Sequence, residues 1–101
     1  MFFIYILYSE SSDLYYTGYS ENPEKRLEEH NFNNHPTFTS KHRPWVMIAL
    51  FEASESRSEV MKMEKFIKKQ RNRNFIETLI KEDFIPNSSL AQLVRVPKLR
   101  D

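Results

Sequence analysis

The chain opens on an unbroken apolar run, Phe2 to Leu7, that Tyr8 carries on to Ser9. A short continuous run of this kind predicts a strand that is buried on both faces or central in a sheet. Glu10 to Asp13 is polar and predicts a turn, after which Leu14 to Tyr19 reads as a second strand, antiparallel to the first. Pro23 suits the first position of a helix with Asn22 as its cap, and that helix ends near Glu29 or His30. Residues 31–44 show no periodic apolar face and are rich in Asn, Thr, Ser, Pro and His, which predicts a loop. Trp45 to Phe51 forms a third strand. Ser54 or Ser56 caps a helix from about Ser56 to Gln70, and Arg71 to Asn74 breaks it. Asn74 with Glu77 reads as a capping box for a short last helix that buries Phe75, Ile76, Leu79 and Ile80. The expectation is an α+β fold, a small three-stranded antiparallel sheet flanked by helices. Residues 1–82 form the domain and 83–101 a tail, whose Leu90, Leu93 and Val94 either pack on the body or stay loose.

A length of 101 residues bounds this to one domain with a small core. The absence of cysteine excludes a disulfide framework, a thiol nucleophile and a thiolate metal site. The leading apolar run is too short for a signal peptide and lacks its basic lead, and nothing nears membrane-spanning length. The cytoplasm, with no membrane partner, is the expected setting. Net charge is only +1, but it is unevenly spread. Residues 1–35 carry two basic and six acidic side chains, whereas 36–75 carry nine basic and four acidic. The middle segment is the part that would meet a polyanion, unless it is simply a solvated helix face.

Gly18 is the only glycine, where average composition would give about seven. All five tyrosines lie before residue 20. A hairpin with aromatic cross-strand pairs and a bulge glycine accounts for this. So does a position that needs φ > 0, or one that another group approaches closely. Glu64 falls, on a helical wheel, inside the arc of Val60, Met61, Met63 and Ile67 and away from Lys62, Lys65 and Lys69. A carboxylate on a core-facing stripe is costly unless paired or bound to metal. Glu64 is therefore either a buried partner for Arg26 or a hydroxyl, or a ligand for a hard divalent cation. Arg26 and His30, four apart, share a helix face, either as a solvated pair or as a phosphate site. His35 and His42, on the loop, read as surface residues.

Taken in order, Phe3-Ile4-Tyr5, Tyr16-Thr17-Gly18, Arg26, His30 and Glu64 resemble the motifs of a GIY-YIG nuclease domain. The likeness is closest to the small stand-alone bacterial members and covers residues 2 to about 81. No single motif is specific; the ordered set is, with Ser56-Arg57-Ser58-Glu59 at a helix start and Ile67-Lys68-Lys69 after the acid. The resemblance implies an endonuclease that hydrolyses phosphodiester bonds with one divalent ion, Mg²⁺ or Mn²⁺, held by Glu64. It implies that Tyr5 takes a proton from the attacking water, Tyr16 holds the phosphate or the water, and Arg26 with His30 meets the phosphate charge. Lys41, Arg43, Lys65, Lys68, Lys69, Arg71 and Arg73 would track the backbone of a nucleic acid, DNA ahead of RNA, without reading its sequence. Two departures stand out. Phe3 replaces the first glycine of the family name, and Tyr19 stands where the excision-repair branch often has lysine, so Lys41 or Lys68 would have to supply that cation. Nor does Asn72 or Asn74 align clearly with that branch's late asparagine. Two other readings compete: a catalytically inactive nucleic-acid-binding module of the same fold, and a structural or interaction protein with a solvated basic face.

Overall fold

The computed structural model describes residues 1–33, 37–70 and 72–96. Strand β1 (Phe2–Ser9) runs antiparallel to β2 (Leu14–Ser20) on one side and to β3 (Trp45–Ser54) on the other. Its unbroken apolar run has the predicted cause. Ile4 and Ile6 face one core, Tyr5 and Leu7 the other, and all four are fully buried. The tight connection to β2 is held by polar side chains: the Ser9 hydroxyl accepts from the Ser12 N–H at 3.2 Å, and Asp13 sits in the left-handed region at φ 55°. Aspartate tolerates that region because its short carboxylate bonds locally, here accepting from the Tyr8 hydroxyl at 2.7 Å.

Helix α1 (Pro23–Phe32) starts as expected, with the Asn22 side chain accepting from the Lys25 N–H at 3.2 Å and proline in the first turn. A 3₁₀ turn (Thr39–His42) interrupts the loop. It is fixed by the Trp45 indole, which donates to the Thr39 carbonyl at 2.8 Å, while Asn31 exchanges two hydrogen bonds with the Trp45 backbone. Helix α2 (Arg57–Lys69), capped by Ser56, lays Val60, Met63 and Ile67 on the Ile4/Ile6 face. Helix α3 (Arg73–Leu79) is capped by Asn72, not by Asn74 as the capping-box pattern suggested. The Asn72 carboxamide accepts from the Asn74 N–H at 2.9 Å, which places Asn74 inside the first turn. Glu77 turns to Arg73 instead.

Among the described residues the sheet has four strands, in the order β2-β1-β3-β4, where three were expected. Strand β4 (Val94–Arg95) comes from the tail and pairs with Phe51 and Glu52 of β3. Arg95 anchors it, its guanidinium 5.5 Å from the Phe51 ring centroid and donating to the Ile80 and Lys81 carbonyls. Leu90 and Leu93 enter the core, while Val94 stays exposed. Among the described residues, no helix is long and apolar enough to cross a membrane.

Candidate active site

The hairpin register sets the site. Tyr5 lies directly opposite Gly18 across the β1–β2 pair, and its ring folds over the glycine. A Cβ built on Gly18 would come within 2.5 Å of the Tyr5 Cζ and closer still to its hydroxyl. Gly18 has no positive φ, so of the reasons for this lone glycine, close approach is the one that applies. The strained-backbone expectation is corrected.

Held down in this way, the Tyr5 hydroxyl reaches the Nε2 of His30 at 3.0 Å, and His30 Nδ1 meets the Thr39 hydroxyl at 3.1 Å. Thr39 continues to the Thr37 hydroxyl, also at 3.1 Å. Tyr16 packs edge-on to the His30 ring, with centroids 5.0 Å apart. Arg26 and His30 thus do not act as a solvated pair: His30 turns inward to Tyr5 and is buried, and Arg26 stays on the surface bonded to Glu29 at 2.9 Å.

A cleft of about 470 Å³ opens across the free edge of β2, lined by Tyr5, Tyr16, Gly18, Arg26, Arg57 and Glu64 among others. The two faces of the sheet contribute opposite walls: Arg26 comes from α1, and Arg57 and Glu64 from α2. Glu64 is less buried than the wheel suggested; its side chain is 18% exposed, and Met61, placed in the same apolar arc, is exposed. The wheel could not show that the sheet edge leaves this flank of α2 open. Its ionic partner is also not Arg26. Lys68, one turn on, sits 3.2 Å from the Glu64 Oε2 and lies over the Tyr16 ring at 5.2 Å from its centroid.

Burial decides the protonation of the inner pair. It pushes the Tyr5 phenol up to about 12, against the downward pull of Arg26, so the protein alone holds Tyr5 as the phenol. Arg26 does pull the phenol pKa down, but desolvation outweighs that one cation. His30 goes the other way, down to about 4, through burial and then the charge of Arg26, with Arg43 and Lys68 adding to it. His30 is therefore neutral at pH 7. Its folded pKa lies below the unfolded value near 6.5, so the unfolded state binds the proton more tightly between those limits. Its contribution to stability is complete above pH 6.5 and is lost as pH falls toward 4, up to about 3 kcal/mol. Urea melts at pH 7, 5.5 and 4.5 are expected to show wild type losing stability more steeply than His30→Asn. Parallel curves would contradict the buried neutral imidazole.

The structure treats the other cations unevenly. Arg43 donates to the backbone carbonyls of His30 (2.7 Å) and Asn33, bracing the end of α1. Arg73 clamps Asp13 and Glu77 and stacks over Tyr15, tying α3 to the hairpin turn. Both spend their donors inside the protein. Lys41, Lys65, Lys68 and Lys69 are exposed, Lys68 being the one paired with Glu64, and Arg71 lies outside the described residues, as does His35. His42 bonds the Ser12 hydroxyl at 2.8 Å and packs tilted against the Phe38 ring. Two contributors escaped the sequence reading. Arg57 stands two helical turns before Glu64, a spacing that does put both on one face. Thr39 meets His30 only through the tertiary fold, and no local pattern marks it.

The donor set suits a hard divalent ion at an open site: a carboxylate on a cleft wall, with the Arg26 cation lining the same cleft from the other side. Mg²⁺ accepts one protein carboxylate with water and substrate oxygens completing its shell. Among the described residues no group of three or more His, Cys, Asp or Glu side chains forms a closed cage.

A family model described as the GIY-YIG catalytic domain matches residues 1–77. A UPF0213 protein of Syntrophus aciditrophicus is 37% identical over 81 residues, 80% of this chain and 91% of the relative. A UPF0213 protein of Enterococcus faecalis is 39% identical over 69 residues, 66% of this chain and 76% of the relative. One from Pediococcus acidilactici, described by its place in the ldhD 5' region, is 32% identical over 80 residues, covering 77% and 80%.

Proposed function

Because the chain belongs to the GIY-YIG family, a family of nucleases, we propose that it is a metal-dependent endonuclease hydrolysing phosphodiester bonds in DNA or RNA, DNA first. One observation carries this reading. The Tyr5 ring is locked over Gly18 with its hydroxyl on His30, at the floor of a cleft that Arg26 and Glu64 border from opposite walls. A merely structural hairpin does not need that convergence.

Arg26 binds the scissile phosphate by its planar donor fork, exchanging its contact with Glu29 for a stronger anion. Tyr16 lines the same wall and positions the phosphate or the water. Water adds to phosphorus as the bond to the leaving oxygen breaks. The proton leaving that water passes to the Tyr5 oxygen, which has first released its own proton to solvent, and the phenol so re-formed donates to His30 Nε2 across 3.0 Å. In the tautomer this requires, His30 Nδ1–H donates to Thr39 and Thr39 donates to Thr37. The leaving oxygen takes its proton from solvent. Glu64 would hold the divalent ion, which when bound supplies positive charge to a phosphoryl oxygen and to acids nearby. That charge would help offset the burial that keeps Tyr5 protonated in the protein alone.

The test is a panel of end-labelled single-stranded, duplex and branched DNA and RNA with Mg²⁺, Mn²⁺ or EDTA. Cleavage with metal and none in EDTA is expected. Salt-dependent binding without cleavage of any substrate would favour the inactive binding module. The exposed Lys65 and Lys69 should contribute to the salt dependence of binding.

A further inference from the structure

Lys68 is bound to the carboxylate that the proposed reaction needs for metal. It approaches Glu64 Oε2 at 3.2 Å from the next turn of α2, with its ammonium over the Tyr16 ring. It also lines a second cavity, of about 320 Å³, which Tyr15, Tyr16, Asn72 and Arg73 border. Tyr16 and α2 separate this cavity from the catalytic cleft, and Lys68 stands at the junction. A cation and a divalent ion cannot both hold Glu64 without mutual repulsion. When the metal takes the carboxylate, the half-exposed ammonium is released from Glu64, and the substrate phosphate is the anion brought to this place.

We propose that Lys68 is an exchangeable counter-ion: it neutralises Glu64 in the metal-free protein and moves to the substrate phosphate when a divalent ion takes Glu64. The proposal rests on the nuclease reading of the cleft and deepens it. It makes Lys68 a substrate-binding residue, distinct from Arg26, whose ground-state partner is Glu29. It also has a thermodynamic consequence. Metal and nucleic acid each remove what the other must displace, so each tightens the other's binding by the same factor. The free protein holds metal weakly by design of this pair, and the loaded complex holds it well.

The experiment measures Mn²⁺ binding and binding of a phosphorothioate oligonucleotide to wild type, Lys68→Met, Glu64→Gln and the double variant. Methionine keeps the unbranched stem that lies along Tyr16, and the exposed Lys69→Met controls for a simple loss of positive charge. Lys68→Met is expected to bind Mn²⁺ about three- to tenfold more tightly than wild type without oligonucleotide, the scale of one lost ion pair plus relieved repulsion. The oligonucleotide should enhance Mn²⁺ binding less in that variant than in wild type. In EDTA, Glu64→Gln should tighten oligonucleotide binding by releasing Lys68, and that gain should shrink in the Lys68→Met background. Equal Mn²⁺ affinities in wild type and Lys68→Met, with the Glu64→Gln gain unchanged by Lys68→Met, would overturn the exchange and leave the nuclease reading intact. Failure of every protein to bind Mn²⁺, with or without oligonucleotide, would overturn both.

Discussion

Glu64→Gln is expected to lower single-turnover cleavage by about 10³-fold while leaving the metal-free fold almost untouched. The large effect follows from removing the carboxylate that α2 brings to the cleft wall, since charge supplied by a metal at phosphoryl oxygen is worth several kcal/mol and each 1.36 kcal/mol is a factor of ten. The small effect follows from its partner. Glu64 pairs with Lys68, whose side chain is 45% exposed, one turn along the same helix. Pairs of that kind contribute about 0.3–0.5 kcal/mol, so denaturation in EDTA should move by no more than that. A buried pair with Arg26 would instead make the loss about 3–5 kcal/mol. Urea melts in EDTA, beside cleavage rates in Mn²⁺, measure both quantities. A variant that cleaves at the wild-type rate sinks the metal assignment, and one that unfolds by several kcal/mol sinks the surface-pair account.

Gly18→Ala is expected to destabilise the protein by about 3 kcal/mol, the upper part of the range for overpacking a well-filled core. The added methyl meets the hydroxyl and outer edge of a rigid ring, not the loose end of a flexible side chain. That ring cannot withdraw easily, because it is fully buried with Leu7 and Trp45 and its hydroxyl is held by His30. If the fold yields by shifting Tyr5, the Tyr5–His30 contact opens and cleavage falls as well. The cause is separable by a double-mutant cycle. In a Tyr5→Ala background the methyl has room, and Gly18→Ala should then cost close to nothing. An equal cost in both backgrounds, read from urea midpoints, would place the strain somewhere other than the Tyr5 ring.

The sequence made the frame readable wherever one residue type had one local cause. Continuous apolarity marked β1 as central, Pro23 after Asn22 marked the start of α1, and the pair Ser54 and Ser56 marked that of α2, of which Ser56 is the cap. Two-residue β4 carries no period and needs β3 beside it to exist, so it could not be read. Gly18 was conspicuous by its solitude, but choosing between positive φ and close approach required the register that sets Tyr5 against it. The wheel for α2 found the buried stripe of Val60, Met63 and Ile67 correctly and misjudged its border, because exposure there depends on where the sheet stops. Tyr5 gave the widest gap. A charge-only argument from Arg26 lowers its pKa; burial, visible only in the fold, raises it.

That reversal makes the proton on Tyr5 the most direct thing to measure. With its phenol held near 12, the fraction able to accept a proton from water rises tenfold per pH unit throughout the working range. Single-turnover cleavage of one end-labelled substrate in saturating Mn²⁺, from pH 6 to 9, should give log rate against pH a slope of about 1 for wild type. Tyr5→Phe should be slower by about 10²–10⁴-fold at every pH, with its fold retained. A wild-type rate flat across this window, or a Tyr5→Phe variant as fast as wild type, would contradict water activation at Tyr5.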